Sequence, residues 1–303
     1  MNITVTGATG LIGGRLIAEL RARGDQVTLL SRSAAKAREA VGAGWNVVEW
    51  DPNAGPAPRE ALDGCDGVVH LAGEPVAQRW NDRSKERILS SREVGTRNLV
   101  AGIARADPKP KVLVSSSAVG YYGPHGDEEL TEDTPPGRDF LAGVCTVWER
   151  EADRAADRGL RVVKVRTGVV LDQNGGALKT MLPPFKLGVG GPVAGGRQYT
   201  PWIHVDDVVG IYLRAIDDAD WTGAVNATAP TPVTNKAFSR ALGKVLGRPA
   251  FAPVPALAIQ ALYGEMAEIV TKGQRVIPRR TQALGYSFRH PELGEALRSA
   301  LGR

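Results

Sequence analysis

Near its start the chain reads Thr6-Gly7-Ala8-Thr9-Gly10-Leu11-Ile12-Gly13, directly after the apolar run Ile3–Val5. Each glycine has a separate use in such a turn. Gly7 lets the chain leave a strand in a tight turn, Gly10 lets the backbone approach a pyrophosphate closely, and Gly13 lets the next helix pack on the strand. The pattern predicts a dinucleotide-binding turn rather than an ordinary glycine-rich one.

The context of this turn supports that interpretation. An amphipathic helix follows it, with Ile12, Leu16 and Leu20 at four-residue spacing, and stops at Gly24. The free N–H groups and the positive dipole end of such a helix attract phosphate.

Composition excludes several other classes of protein. The 303 residues are 43% hydrophobic and carry a net charge of +5, with basic residues scattered among acidic ones. This charge suits an anionic small ligand better than nucleic acid, which usually requires a basic stripe.

The two cysteines and the apolar runs exclude further classes. Cys65 and Cys145 lie far apart, so we expect neither a disulfide framework nor a zinc site, and we expect no other metal site. The core strand at the N-terminus leaves no room for a signal peptide, and no apolar run is long enough for a membrane span, so the cytoplasm is expected.

Alternating short apolar runs and helical patterns predict the fold class. The predicted parallel strands are 27–30, 47–48, 68–71, 112–114 and 162–165, and the predicted helices are 11–23, 84–105, 140–158, 206–216, 235–246, 255–271 and 291–300. This alternation is typical of an α/β, doubly wound parallel sheet, a Rossmann-like NAD(P)-binding fold, with a smaller C-terminal substrate-side domain. We assign 1–172 to the Rossmann domain, to which 203–230 returns, and 173–202 with 231–303 to the smaller domain. Asp206 and Asp207 are expected to cap helix 206–216.

The end of the second strand indicates the cofactor. An NAD-selective fold usually has an acidic residue here, but this chain has Ser31 and Arg32. A hydroxyl and a guanidinium suit the 2′-phosphate of NADP(H), which a carboxylate would repel. The alternative is that Arg32 is an ordinary solvated arginine.

Further segments carry a family resemblance. With His70-Leu71-Ala72-Gly73, Ser115-Ser116-Ser117 and Tyr121-Tyr122-Gly123, the chain resembles an extended short-chain dehydrogenase/reductase, of which nucleotide-sugar epimerases are typical members. Segments Gly190-Gly191-Pro192, 198–207, 226–230, 247–249, 273–278 and 285–286 resemble an atypical epimerase-like subfamily with a C-terminal domain of unassigned function. The resemblance implies that Arg92 points at the cofactor, with a surface ion pair as the alternative. The complete set of expected cofactor contacts is Gly7, Thr9, Gly10, Leu11, Ile12, Gly13, Ser31, Arg32, Leu71, Ala72, Gly73, Arg92 and Val170.

The catalytic centre departs from that superfamily. Its members use a tyrosine and, four residues later, a lysine that lowers the tyrosine pKa. No Tyr-x-x-x-Lys occurs in this chain, and alignment by Glu149 puts Leu141 and Cys145 at the two positions.

Other side chains are candidates for the missing proton donor. We consider Ser116, Ser117 and Tyr122 as tentative catalytic residues, against ordinary strand-end hydrogen bonding and aromatic packing. Cys145 fits a buried apolar role better than a reactive thiol.

Substrate-side candidates are Tyr121, Arg197, Trp202 and His204, although Arg197 fits a surface arginine equally well and His204 fits a hydrogen-bonding strut better. We expect a cavity walled by 188–204 and the C-terminal piece.

The sequence therefore supports an NADP(H)-binding oxidoreductase or epimerase-like enzyme with a small-molecule substrate, anionic or sugar-like. It predicts no nucleic-acid or membrane partner and does not define the oligomeric state. The rival is a catalytically idle NADP(H)-binding redox sensor or regulatory protein, which the missing Tyr–Lys pair favours.

Overall fold

A computed structural model describes residues 1–303. The strands are β1 (Asn2–Thr6), β2 (Gln26–Ser31), β3 (Asn46–Glu49), β4 (Gly67–His70), β5 (Val112–Ala118), β6 (Glu129–Leu130), β7 (Arg161–Thr167), β8 (Val169–Leu171), β9 (Tyr199–Thr200), β10 (Trp202–His204), β11 (Gly223–Ala227), β12 (Val233–Thr234) and β13 (Arg275–Val276). The helices are α1 (Leu11–Ala22), α2 (Ala34–Val41), α3 (Asp82–Arg105), α4 (Phe140–Asp153), α5 (Gly176–Lys186), α6 (Val205–Asp217), α7 (Asn235–Leu246), α8 (Ala256–Tyr263), α9 (Ala267–Thr271), α10 (Arg279–Ala283) and α11 (Leu293–Ala300).

Seven strands form one parallel sheet in the order β11-β7-β5-β4-β1-β2-β3. The predicted doubly wound Rossmann-like sheet is therefore confirmed. The chain order reverses between β1 and β4, and ligands of such sheets bind outside the carboxyl ends of the strands at this switch point. The glycine turn after β1 and the segment 71–73 after β4 lie there.

Apolar side chains of the strands bury both faces of the sheet. On one face, β1 and β7 pack against α1 and α6, with Leu16 and Val208 fully buried. On the other face, Val68 and Leu113 pack with Leu99 of α3 and Ala152 of α4. Strands covered on both faces need the continuous apolar runs seen in the sequence.

Some of the predicted helices agree with the structure and others do not. Helix 235–246 is confirmed to the residue, whereas 255–271 divides into α8 and α9 around a 3-10 turn at Gly264–Met266. Gly264 adopts φ +61°, which favours glycine and ends α8. The first turn of α6 contains Asp206 and Asp207, but the N-cap is His204, whose side chain accepts from the Asp206 N–H. The prediction of aspartate capping was therefore wrong.

A third hydrophobic cluster joins the later segments of the chain. It unites Leu178 of α5, Trp202, Phe238 of α7 and Leu297 of α11. The buried Asp207 ties the segment before α11 to α6, because its carboxylate accepts from the N–H groups of Arg289 and His290 at 2.7 and 2.9 Å. No helix is long and apolar enough to cross a bilayer.

Candidate functional site

A groove of about 440 Å³ opens at the switch point of the sheet. Its walls include these residues predicted to contact the cofactor: Gly7, Thr9, Gly10, Ser31, Arg32, Leu71, Ala72 and Gly73. Trp50, Asn53 and Ser90 also line it, and sequence reasoning missed all three because no motif marks them.

The geometry distinguishes the three glycines. Gly7 adopts φ +72°, and a Cβ there would lie 2.7 Å from the Leu71 carbonyl carbon. A Cβ on Gly13 would lie 2.3 Å from the Gly7 carbonyl oxygen, so Gly13 packs the helix on the turn. A Cβ on Gly10 would meet only that oxygen, at 3.3 Å. Gly10 has an ordinary φ of −80° and lines the groove, so its missing side chain leaves room for a ligand.

A buried network holds the turn against the segment after β4. Thr6 Oγ1 accepts from the N–H groups of Leu71 and Ala72 at 3.2 and 3.1 Å. Its hydroxyl therefore donates to His70 Nδ1 at 2.8 Å, and the opposite ring nitrogen donates to Thr96 Oγ1 at 3.0 Å. This arrangement requires a neutral imidazole. Burial lowers the pKa of His70 to about 4.

We expect this histidine to make folding stability depend on pH. Its pKa of about 4 in the folded protein lies below the ordinary value of 6.5. The unfolded chain therefore binds more protons between these values, and stability falls as pH falls through that window. The loss between about pH 7 and about pH 5 should be about 2 kcal/mol.

Urea unfolding of the wild type and of His70→Asn at the two pH values measures this effect. Burial also lowers the pKa of His204, but that contribution is common to both proteins. Equal pH dependence in the two proteins would contradict the assignment to His70.

The end of β2 presents the predicted selectivity pair. Arg32 is exposed and makes no hydrogen bond or ion pair within the chain, so its guanidinium is free for a ligand. The Ser31 hydroxyl bonds the Ser33 carbonyl oxygen at 3.2 Å. The carboxylate of Glu49, opposite Ser31 on β3, accepts from the Ala34 N–H at 2.8 Å and does not line the groove.

The remaining predicted cofactor residues lie beside the groove. Ile12 and Val170 pack against the core, and Leu11 contacts Gly175 and Gly176. Arg92 lies behind Gly73, because a Cβ on Gly73 would be 3.1 Å from its Cζ.

A second cavity, of about 430 Å³, begins on the other side of Arg92. The side chains of Trp80, Phe140, Trp148 and Tyr199 contribute aromatic walls, and Pro201 and the stretch 265–274 contribute further lining. The cavity expected between 188–204 and the C-terminal piece is present only in part, because Tyr199 and Pro201 are its only lining residues from 188–204 and most of its lining lies between Val76 and Val169.

Arg92 is a half-buried cation that lines the second cavity and lies against Gly73 of the groove. Its Nη1 donates to the carbonyl oxygens of Glu74 and Ile88 at 3.0 and 3.2 Å, and its Cζ lies 4.8 Å from the centre of a Trp148 ring. It forms no ion pair, so the predicted alternative of a surface ion pair was wrong. Burial lowers the pKa of Arg92. A half-buried guanidinium without a carboxylate partner is a candidate contact for an electron-rich atom of a ligand.

The two positions aligned with the superfamily's tyrosine and lysine face the same cavity. Leu141 and Cys145 lie on one side of α4 and line it beside Gly120. Burial raises the pKa of the Cys145 thiol to about 12, so this side chain is protonated at neutral pH. Neither residue replaces the acid–base pair.

The hydroxyls proposed for catalysis are held elsewhere. Ser117 donates to Glu149 Oε1 at 2.7 Å, and Tyr122, fully buried, donates to Asn226 Oδ1 at 2.6 Å. Both belong to a network around Arg166, whose guanidinium forms two hydrogen bonds to Glu149 at 2.8 and 2.9 Å. Neither residue lines the second cavity, and neither does Ser116.

The substrate-side candidates also lie outside that cavity. Tyr121 stacks on Arg166, with Cζ 3.5 Å from the ring centre. Trp202 and His204 are buried, and His204 caps α6, which is the strut role favoured from the sequence. Arg197 is exposed.

Sequence reasoning missed two residues near these cavities and networks. One is Trp148, whose buried Nε1 has no hydrogen-bond partner. The other is Arg166, although an arginine inside an apolar strand signals a buried ion pair.

Comparisons with known proteins agree with this architecture. The model of the NAD dependent epimerase/dehydratase family matches residues 3–227, and a domain of unknown function (DUF1731) matches residues 254–300. The second match agrees with the expected C-terminal domain of unassigned function.

Individual relatives cover the entire chain. The epimerase family protein SDR39U1 of Bos taurus is 42% identical over 99% of this chain and 100% of its own length. A crystal structure of human SDR39U1 (isoform2) with NADPH has a TM-score of 0.90 at 40% identity, covering 100% of both chains. MoeE5 in complex with UDP-glucose and NAD shares the fold, with a TM-score of 0.80 at 21% identity over 100% of this chain and 98% of its own.

Proposed function

Since the chain belongs to the NAD dependent epimerase/dehydratase family, we propose that it is an NADP(H)-dependent oxidoreductase in which Arg92 replaces the Tyr–Lys pair. The observation that carries this proposal is the half-buried guanidinium of Arg92, which forms no ion pair and lies between a dinucleotide groove and an aromatic-walled cavity. Hydride transfer to a carbonyl carbon leaves negative charge on the oxygen, which the fixed guanidinium of Arg92 stabilises while it stays protonated; the oxygen then takes its proton from solvent water.

The groove fits NADP(H). The glycine turn and the N-terminus of α1 offer N–H groups to a pyrophosphate, and Gly10 leaves space for it. Ser31 and Arg32 would bind a 2′-phosphate through a hydroxyl and a guanidinium. When bound, the cofactor supplies or accepts a hydride. The NADPH in the crystal structure of human SDR39U1 supports this assignment.

The second cavity is the proposed substrate site. Aromatic walls bind the ring of a carbonyl compound or a sugar. Ser116, Ser117 and Tyr122 then have no direct catalytic role, since none lines this cavity.

One observation favours the rival function, a redox sensor. Leu141 and the protonated Cys145 occupy the positions where the superfamily has its acid–base pair. A sensor would bind NADPH and turn over none of the substrate classes that the cavity admits.

We expect Arg92→Met to lower kcat about 100-fold, the usual effect of removing one donor to a developing oxyanion. NADPH oxidation is first measured for the wild type with ketones, conjugated carbonyl compounds and nucleotide sugars, and then for the variant. Arg92→Lys, which keeps a charge but not the fork of donors, should retain part of the rate. Arg83→Met, at an exposed cation elsewhere on α3, is the matched control. A folded Arg92→Met protein with wild-type kcat would refute the role, and a wild type inactive on every class would favour the sensor.

Arg32→Ala should weaken NADPH binding by about 1.5–3 kcal/mol, since it removes a charge-assisted contact to the 2′-phosphate. NADH lacks that phosphate, so its affinity should barely change. Fluorescence titration of both proteins with both cofactors measures the difference. Equal NADPH affinity in the two proteins would show that Arg32 is only a solvated arginine.

A further inference from the structure

Two segments of the chain contain no acidic residue at all. Between Asp172 and Asp206, and again between Asp220 and Glu265, the charged residues are Lys179, Lys186, Arg197, Lys236, Arg240, Lys244 and Arg248. The interpretation of basic residues as scattered among acidic ones was therefore wrong for these segments. The structure packs the two segments together, because α5 and α7 share one hydrophobic cluster and Val193 bridges Val254.

Three of these cations surround one surface pocket. Lys236 and Arg240, one turn apart on α7, and Arg248 beyond its end line a pocket of about 240 Å³ together with Phe251. None of the three forms an ion pair or hydrogen bond through its side chain. The pocket therefore presents unneutralised positive charge.

Large apolar side chains protrude beside these cations. Phe251 is 80% exposed, and Leu187 and Val189 are 78% and 60% exposed. Gly188, between the last two, lies against Pro249, since a Cβ there would be 3.4 Å from its ring. We call the set Leu187, Val189, Lys236, Arg240, Arg248 and Phe251 the basic edge.

We propose that the basic edge docks on the surface of an anionic lipid bilayer. Cations attract acidic headgroups, while protruding apolar side chains enter the boundary between headgroups and acyl chains. A second copy of the chain does not fit, because two acid-free cationic edges repel each other. This contact is peripheral and revises the sequence prediction of no membrane partner; it lies outside both cavities and does not depend on the proposed oxidoreductase activity.

Vesicle co-sedimentation of the full chain tests the proposal. Phosphatidylcholine vesicles are compared with vesicles that also contain phosphatidylglycerol, at low and high salt. We expect at least about tenfold stronger partitioning onto the anionic vesicles, decreasing with salt. The double variant Leu187→Ser/Phe251→Ser removes two protruding apolar side chains, and the double variant Arg240→Gln/Arg248→Gln removes two positive charges. Each double variant should lose most of this binding. Arg83→Gln/Arg158→Gln removes equal charge at exposed positions elsewhere and should bind like the wild type.

Other outcomes would overturn the proposal. Failure of the wild type to sediment, equal binding to neutral vesicles, or binding that survives both basic-edge variants would each do so. Binding to poly-glutamate that depends on the cations but not on Leu187 and Phe251 would indicate an acidic protein partner. A dimer in sedimentation velocity that disappears in Phe251→Ser would indicate a second copy.

Discussion

Gly10→Val is expected to fold normally and to lose NADPH binding by about 1000-fold or more. Gly10 has an extended-region φ of −80°, and a Cβ there meets only the Gly7 carbonyl oxygen, at a tight 3.3 Å, so valine requires only a shift of this oxygen by a few tenths of an ångström. The branched side chain then fills the space through which a pyrophosphate approaches the turn. Loss of two charge-assisted hydrogen bonds at about 1.5–3 kcal/mol each gives this magnitude.

Titration with NADPH, alongside thermal unfolding of the free protein, measures both parts of the expectation. Gly14→Val is the matched control, because it adds the same side chain four residues later, within α1, where the Cβ would lie 3.7 Å from the Ala8 carbonyl oxygen and Gly14 itself does not line the groove. Gly13→Val should instead destabilise the fold, since its Cβ would collide with the turn. Tight NADPH binding by folded Gly10→Val would refute the phosphate cradle.

The sheet and its cofactor edge were predictable because each depends on local chemistry. Buried parallel strands need continuous apolar runs, and a glycine turn before an amphipathic helix has few other uses. The steps from β1 to β2 to β3, and from β4 to β5, connect neighbouring strands, whereas the connection from β3 to β4 returns across the sheet to the other side of β1. These rules correctly placed Gly7, Gly10 and the segment 71–73 along one groove.

For the second cavity, the sequence predicted an approximate location but not the residues that line it. Its key cation comes from α3 and its walls from α4, β9 and α9, and no spacing in the sequence shows that these meet. Ser117 and Tyr122 were attractive as hydroxyls near a strand end, but their partners lie far along the chain, at Glu149 and Asn226. Side-chain direction along β5 decided the role of Ser117, because alternate residues face opposite sides of a sheet, whereas Tyr122 lies in the 3-10 turn that follows β5.

Replacing the arginine at the centre of that network should cost the fold about 3–5 kcal/mol, the range found when one partner of a buried ion pair is removed. Arg166 is 4% exposed and joins Glu149, Tyr122 and the Glu132 carbonyl oxygen. Burial opposes its charge, whereas the hydrogen bonds to Glu149 raise the pKa of Arg166 above its ordinary value. In Arg166→Met, the carboxylate of Glu149 stays buried and keeps only the Ser117 hydroxyl.

Urea unfolding distinguishes the cost of leaving the Glu149 carboxylate without an ion-pair partner from the cost of losing the packing around the guanidinium. The double variant Arg166→Met/Glu149→Met removes both charges, so it should recover a large part of the stability lost in Arg166→Met. Arg214→Met breaks an exposed pair with Asp218 on α6 and should change stability by about 0.5 kcal/mol or less. If the double variant were less stable than Arg166→Met, packing around the guanidinium, including its stacking on Tyr121, would be the dominant contribution rather than the ion pair.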